Sequence, residues 1–164
     1  MEIFTKALQI QLKDLGAAGW VITDGGTKVL VDPYLSRIKL VGRSTSSKIS
    51  NAAKNRDWGS DTRKKYYRDD RFEPDTTIIN YLINGDAIDS SAYIFVHHTH
   101  FDHAADVPYI AMKTGARVIG TESLSNLLKA HGVPEKQIIT VQGGEDYDFE
   151  DFSEKYLQFG IAPY

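Results

Sequence analysis

A short apolar run that ends in a cluster of histidines constrains this chain more than any other stretch. Residues 93–96 read Tyr-Ile-Phe-Val, and four histidines and an aspartate follow within positions 97–103. Apolar residues at both alternating positions predict a strand that is buried on both faces. The sequence therefore places imidazole and carboxylate groups directly behind a buried strand.

The spacing of these polar residues favours a metal site. His98 and His100 lie on one face of an extended chain because side chains alternate, and Asp102 and His103 follow where the strand gives way to a turn. This set of ligands suits one or two divalent ions. The alternative is a solvated histidine-rich loop. His97 has the opposite parity, so we expect it to face away as a packed or supporting group.

The motif His98-Thr-His100-Phe-Asp102-His103 resembles the His-x-His-x-Asp-His signature of the metallo-β-lactamase superfamily. The chain as a whole resembles the lactonase-like branch of uncharacterised hydrolases in that superfamily. Residues 19–22 and 28–35 resemble the opening β-hairpin of that superfamily, and residues 104–111 resemble the helix that follows the motif. The resemblance covers about residues 8–152.

The resemblance implies roles for individual residues. His98 and His100 would hold a first ion, and Asp102 and His103 a second, with Asp102 also orienting the nucleophilic water as the catalytic residue. Zinc is the expected metal, with manganese or iron as alternatives. Asp32 would be a carboxylate that orients a metal-bound histidine; its other interpretation is a turn-forming residue before Pro33. No substrate-binding residue is identified.

The implied activity is metal-dependent hydrolysis of an ester, lactone or phosphoester bond by metal-activated water. Two alternatives stay open. One is a catalytically incomplete half-domain that oligomerises. The other is a nuclease-type phosphodiesterase that uses the basic and aromatic residues of segment 43–71.

The order of elements predicts an α/β fold with a mixed sheet. Alternating or apolar runs predict strands at 7–12, 19–23, 28–32, 91–96, 116–120 and 138–141. Helices are expected at 78–83, from 102 or 104 to about 113, and at 121–131, with a shorter one near 61–68. Asp24-Gly-Gly predicts a hairpin, whereas the alternation of strand and helix after residue 91 predicts parallel pairing.

We expect residues 1–164 to form a single domain equal to about half of the αββα sandwich that the resemblance implies, with 41–75 as a polar insertion or flap. No histidine follows His131, so the second set of ligands that the resemblance implies is missing and the chain is expected to be a C-terminally truncated form. A half-sandwich would expose an apolar sheet face, which predicts a homo-oligomer, dimer or higher.

Bulk properties exclude several classes of protein. The 164 residues carry a net charge of −3 and contain no cysteine, which rules out disulfides and thiolate metal sites and argues against nucleic-acid binding by bulk charge. No apolar run reaches membrane-spanning length, and the first residues do not resemble a signal peptide. These features predict a cytoplasmic protein that acts on a small molecule.

Overall fold

The computed structural model describes residues 10–40, 63, 65–67 and 69–143. The strands are β1 (Gln11–Gly16), β2 (Gly19–Thr23), β3 (Lys28–Val31), β4 (Lys39–Leu40), β5 (Lys65–Tyr66), β6 (Tyr93–Phe95), β7 (Arg117–Gly120) and β8 (Ile138–Thr140). The helices are α1 (Thr76–Gly85), α2 (Phe101–Ala104), α3 (Val107–Thr114) and α4 (Glu122–Ala130), and a single 3₁₀ turn, Glu135–Gln137, precedes β8.

The first three strands form an antiparallel meander. The turn between β2 and β3 is closed by Asp24, whose Oδ1 accepts hydrogen bonds from the backbone N–H groups of Gly26 and Thr27 at 2.9 and 3.0 Å. Gly25 has a φ of 94°, a left-handed conformation that glycine adopts without a steric penalty. The hairpin predicted from Asp24-Gly-Gly is confirmed.

The second half of the sheet is parallel. The strand order is β1-β2-β3-β6-β7-β8, and the pairs β3–β6, β6–β7 and β7–β8 all run parallel. Helices α3 and α4 lie in the connections that carry the chain between these parallel strands, as crossover geometry requires. The predicted mixed α/β sheet, antiparallel at first and parallel after residue 91, is confirmed.

Both faces of the central strands of the sheet are buried. The larger core lies between one face and the helices and includes Leu30, Ile94 and Val118. The opposite face carries a second cluster whose residues are at most 9% exposed: Val29, Val31, Tyr93, Phe95, Ile119 and Val141. The expectation of an uncovered apolar face on a half-sandwich was therefore wrong for these central strands, because their side chains are buried within a single chain.

Two helix predictions need correction. The helix expected from residue 102 or 104 to about 113 is two helices, α2 and α3, with Pro108 in the first turn of α3. Proline has no N–H, so it is tolerated at a helix start but not inside one continuous helix. Near residues 61–68, the described residues form β5 rather than a helix, because Lys65–Tyr66 pairs in parallel with β4.

Some predictions fall outside the described residues. They concern the start of the strand at 7–12, most of the polar segment 41–75 and everything after residue 143. Among the helices that the structure describes, none combines the length and apolar character needed to cross a bilayer.

The close approach of β7 to α4 gives a test of the core packing. A Cβ atom at Gly120 would lie 2.4 Å from Leu124 Cδ2 and 3.1 Å from the Val96 carbonyl oxygen, whereas one at Gly85 would meet no atom within 4 Å. We expect Gly120→Ala to lower the free energy of unfolding by about 1–3 kcal/mol, as overpacking does. Gly85→Ala should leave it unchanged or raise it by up to about 1 kcal/mol. Urea denaturation measures both variants, and equal stabilities would contradict this packing.

Candidate active site

The parallel register of β3 and β6 brings Asp32 beside the histidine segment. Val31 pairs with Phe95, and the next backbone N–H, that of Asp32, donates to the Phe95 carbonyl at 2.9 Å. The chain then leaves both strands at the same end of the sheet. In open α/β sheets, ligand sites occur at the carboxyl ends of parallel strands.

Asp32 is the buried centre of the site. Its side chain is 1% exposed, and its backbone has a φ of 41°, a conformation that is uncommon for any residue with a Cβ. Oδ1 accepts the backbone N–H of His97 at 2.9 Å, while Oδ2 lies 2.6 Å from His97 Nδ1 and 2.8 Å from His103 Nδ1. One carboxylate thus contacts two imidazoles. Asp32 therefore lies close enough to His103 to orient its ring, as the predicted role of this carboxylate would require.

Three imidazoles lie together next to this carboxylate. The ring centroid of His98 is 4.1 Å from that of His103 and 4.4 Å from that of His100. His98 Nε2 is 2.9 Å from His100 Nδ1, so one of these nitrogens carries a proton and the other accepts it. Desolvation lowers the pKa of His98, and the neighbouring rings of His103 and His100 lower the pKa further. A neutral imidazole is the form that binds a metal ion.

Asp102 stands apart from the imidazole group. It lies in the first turn of α2, as the sequence predicted, and its side chain is 66% exposed. The nearest ring nitrogen, His103 Nε2, is 3.9 Å from Asp102 Oδ2. The other side of Asp102 faces a cleft between α2 and the segment around β5.

The imidazole and carboxylate groups of the site are of the types that bind metal ions, but they are not arranged around a common point. In the described ranges, no three histidine, aspartate or glutamate side chains are grouped so that they could hold a metal ion. The Nε2 of His98 and the Nδ1 of His100 are hydrogen-bonded to each other. His103 Nδ1 is buried without a hydrogen bond, because its contact with Asp32 lies outside hydrogen-bond geometry. Three clustered imidazoles and an unsatisfied ring nitrogen suit a divalent cation.

His97 is not a packed residue. Its side chain is 55% exposed, and its ring Nδ1 and its backbone N–H both contact the Asp32 carboxylate. The sequence predicted that His97 faces away from the other histidines, either as a packed residue or as a supporting residue. The structure favours the supporting group, because His97 and His103 share one carboxylate.

Sequence reasoning missed Asp106, a fully buried carboxylate at the junction of α2 and α3. Its Oδ2 accepts the backbone N–H groups of Leu35 and Ser36, both at 2.7 Å, and its Oδ1 accepts the Ser36 hydroxyl at 2.6 Å. Ser36 Oγ in turn accepts the backbone N–H of Asp75, the N-cap of α1, at 2.7 Å. Asp106 therefore fixes the loop that follows Asp32.

Sequence reasoning also missed an aromatic cleft of about 610 Å³ beside Asp102. Its lining residues are Tyr34, Ile38, Tyr66, Tyr67, Asp70, Phe72, Phe101 and Asp102. Burial raises the pKa of Tyr34, with smaller contributions from the carboxylates of Asp106 and Asp102, so its hydroxyl stays protonated.

Signals for both features exist in the sequence. Asp106 is the one charged residue in the apolar stretch 104–112, which is where a buried, hydrogen-bonded carboxylate is expected. Phe101 occupies a variable position inside the histidine motif, and Tyr66, Tyr67 and Phe72 are interleaved with charges in the polar segment. The contact that joins Phe72 to Phe101 spans nearly thirty positions, which no local pattern reveals.

Comparisons with known proteins agree with this geometry. The chain is 40% identical over 67 residues to a UPF0173 metal-dependent hydrolase of Staphylococcus aureus strain JH9, and equally to its counterparts in strains Newman and N315. Each match covers 40% of this chain and 28% of the relative, so the chain spans little more than a quarter of the length of these relatives. No protein-family model matches the chain.

A solved structure shares the fold. Igni18, described as a novel metallo hydrolase from the hyperthermophilic archaeon Ignicoccus hospitalis, superposes with a TM-score of 0.50 at 17% identity. The match covers 88% of this chain and 44% of that one. The chain thus has the mixed α/β fold seen in a metallo hydrolase. The sequence relatives and this structural neighbour are named as metal-dependent or metallo hydrolases, which supports the hydrolase class that the histidine motif indicated.

The Asp106 network gives a test of how the site loop is held. Asp106→Ala leaves three donors without their acceptor, two of them backbone N–H groups, and each buried donor without a partner costs about 1–3 kcal/mol. We expect a loss of at least about 2 kcal/mol in unfolding free energy. Asp89→Ala is the matched control: Asp89 also accepts a backbone N–H and a hydroxyl, both from Ser91, but on the surface.

Asp89→Ala should cost less than about 1 kcal/mol in unfolding free energy, because water replaces the lost acceptor.

The dependence of stability on pH is a second measurement of the Asp106 network. Burial raises the pKa of Asp106 above its ordinary 3.8, so the folded protein binds this proton more tightly than the unfolded chain. Wild-type stability, measured relative to Asp106→Asn, should therefore fall as the pH rises from 3.8 through the folded pKa. A flat difference across that window would contradict the burial of an ionisable group here.

Proposed function

We propose that this chain forms the histidine-rich metal site of a metal-dependent hydrolase. The observation that carries the proposal is the buried Asp32 carboxylate shared by His97 and His103 beside the rings of His98 and His100. The names of the sequence relatives and of the structural neighbour support it.

His98, His100 and His103 would hold the metal, with Asp102 as a further ligand or as a hydrogen-bond acceptor for the attacking water. Zinc suits imidazole-rich sites best, and manganese or iron is the alternative. When bound, such an ion lowers the pKa of a water molecule to about 7 and polarises the bond to be cleaved. Hydrolysis of an ester, lactone or phosphoester is the proposed reaction.

The chain's own residues supply orientation. Asp32 holds the Nδ1 side of His103 and of His97, so it sets which ring faces point toward the other histidines. Asp106 holds residues 35 and 36, which fixes the path of the loop after Asp32. The cleft beside Asp102 provides a place for substrate that is partly shielded from water.

Zinc content tests the assignment directly. We expect protein refolded with zinc to lose most of its bound metal in the double variant His98→Ala, His100→Ala, because two of the proposed ligands are removed. His131→Ala is the control, since this histidine follows α4 and is not part of the cluster. Elemental analysis after gel filtration gives the ratio of metal to chain. Equal zinc in the double variant and in wild type would refute the site.

A graded variant in the same experiment separates ligand from orienting roles. Asp32→Asn keeps the shape of the side chain but removes its charge. Loss of such a partner typically weakens metal affinity about 10–100-fold, which competition with a chelator measures. Asp89→Asn should leave the affinity unchanged.

We propose homo-oligomerisation as a second property, which a specific surface supports. Ile10, Leu12 and Trp20 are 60%, 64% and 42% exposed. The register places all three on one sheet face at the outer β1–β2 edge, because Leu12 pairs with Ile22 and Trp20 with Asp14. Apolar residues on an edge strand favour association.

The oligomer has its own test. We expect the double variant Leu12→Lys, Trp20→Lys to lower the sedimentation coefficient of the protein at micromolar concentration. Met112→Lys, a similarly exposed position on α3, is the control and should not change it. A wild-type protein that sediments as a monomer would refute the proposed oligomer without bearing on the proposed metal site.

A further inference from the structure

The cleft beside Asp102 is walled by a continuous row of aromatic rings. The ring centroids of Tyr34 and Phe101 are 5.5 Å apart, those of Phe101 and Phe72 are 4.7 Å apart, and those of Phe72 and Tyr66 are 6.1 Å apart. The first two pairs are edge-to-face, at 70° and 88°, which is a favourable arrangement. The rings therefore support one another.

Three polar side chains of the lining already have hydrogen-bond partners, whereas the Asp102 carboxylate, which is 66% exposed, also faces the cleft. The Tyr34 hydroxyl accepts the backbone N–H of Ile38 at 2.8 Å, and the Tyr66 hydroxyl donates to the Glu73 carbonyl at 3.3 Å. Asp70 Oδ2 accepts the backbone N–H of Tyr67 at 2.8 Å. No lysine or arginine belongs to the lining within the described residues. The wall thus offers contact area more than hydrogen bonds or positive charge.

The position of the wall links it to the proposed chemistry. Phe101 and Asp102 are consecutive residues of α2, and both line the cleft. His100 directly precedes them as the N-cap residue of the same helix. A molecule that reaches the histidine cluster from this side therefore lies against the aromatic rings.

From this juxtaposition we propose that the substrate carries an aromatic or bulky apolar group without negative charge next to the bond that is hydrolysed, and that the aromatic cleft binds this group. The inference rests on the proposed function and names its substrate class. A cleft of about 610 Å³ lies in the range of sites for small organic ligands and accommodates one ring with its attached ester or lactone.

Anionic and strongly polar groups fit this wall poorly. A carboxylate or phosphate placed against the rings would lose its hydration without gaining a cationic partner among the described lining residues. A nucleobase could stack there, but its polar edge would find hydroxyls that are already hydrogen-bonded to the backbone. A neutral hydrocarbon group loses no hydrogen bonds to water when it enters the cleft, and it removes exposed ring surface from water.

Binding to the zinc-free protein tests the cleft independently of any catalysis. The probes are N-benzylacetamide, its ring-free counterpart N-methylacetamide, the anion benzoate and the nucleoside uridine, each followed by saturation-transfer NMR and chemical-shift titration. We expect measurable binding of N-benzylacetamide alone. Binding of benzoate or uridine as tight as that of N-benzylacetamide would overturn the proposed preference.

Variants locate the binding site. Phe72→Ala and Tyr67→Ala each remove a ring from the lining and should weaken N-benzylacetamide binding roughly 2- to 10-fold. Phe72→Leu keeps an apolar side chain and guards against a folding defect in Phe72→Ala, with circular dichroism as the check. Tyr81→Ala is the control, because Tyr81 is 82% exposed on α1 and does not line the cleft. Equal weakening by Tyr81→Ala, or none by the cleft variants, would refute the location.

Hydrolysis by the zinc-loaded protein separates the two proposals. Methyl phenylacetate and methyl acetate differ only in the ring, and acid release at constant pH reports turnover. We expect a higher kcat/KM for methyl phenylacetate, reduced by Phe72→Leu and unchanged by Tyr81→Ala. Turnover of both esters at equal kcat/KM would overturn the cleft inference and leave the hydrolase standing. Ring binding without turnover of either ester would contradict the proposed function and leave the binding preference of the cleft standing.

Discussion

The parallel pairing of β3 with β6 is the constraint on which the site depends. It joins Val31 to Phe95 and continues one residue further, where the Asp32 N–H meets the Phe95 carbonyl. A shift of one residue would move every side chain of β3 to the other face of the sheet. Asp32 would then point away from His97 and His103, and the buried carboxylate would lose both imidazoles. The register is held because Leu30 and Ile94 belong to one core, while Val29 and Tyr93 belong to the other.

A second buried carboxylate ties the surroundings of the site together. Asp106 binds the loop at residues 35 and 36, and Ser36 passes the connection on to Asp75 at the start of α1. A buried acidic group is tolerated only when its oxygens are well paired, and here three donors converge on one carboxylate. The network joins three segments that are distant in sequence: the loop after β3, the α2–α3 junction and the N-terminus of α1. Through them it sets where Asp32 and Tyr34 lie.

The aromatic cleft depends on both carboxylates. Tyr34 follows Asp32 in the loop that Asp106 holds, and Phe101 begins the helix that contains Asp102 and His103. Tyr66 and Phe72 come from the described part of the polar segment that the sequence suggested as an insertion or flap. The contact of Tyr34 with Phe101 depends on the loop after β3 being held in place. The same interactions that orient the histidines thus also form the surface on which a substrate would rest.

The sequence by itself determined the local elements and the chemistry of the site. The Asp24-Gly-Gly turn, the start of α1 at Asp75 and the alternation of strand and helix after residue 91 all follow from local backbone preferences and from apolar periodicity. The motif from His98 to His103 likewise indicated candidate metal ligands by residue type and spacing. Only the tertiary structure decided that Asp32 contacts both His97 and His103, that Asp106 is buried beneath the site loop, and that four aromatic rings from three segments form one wall. The physical reason is that local preferences act over a few residues, whereas strand register and the pairing of buried charges join positions up to about seventy residues apart.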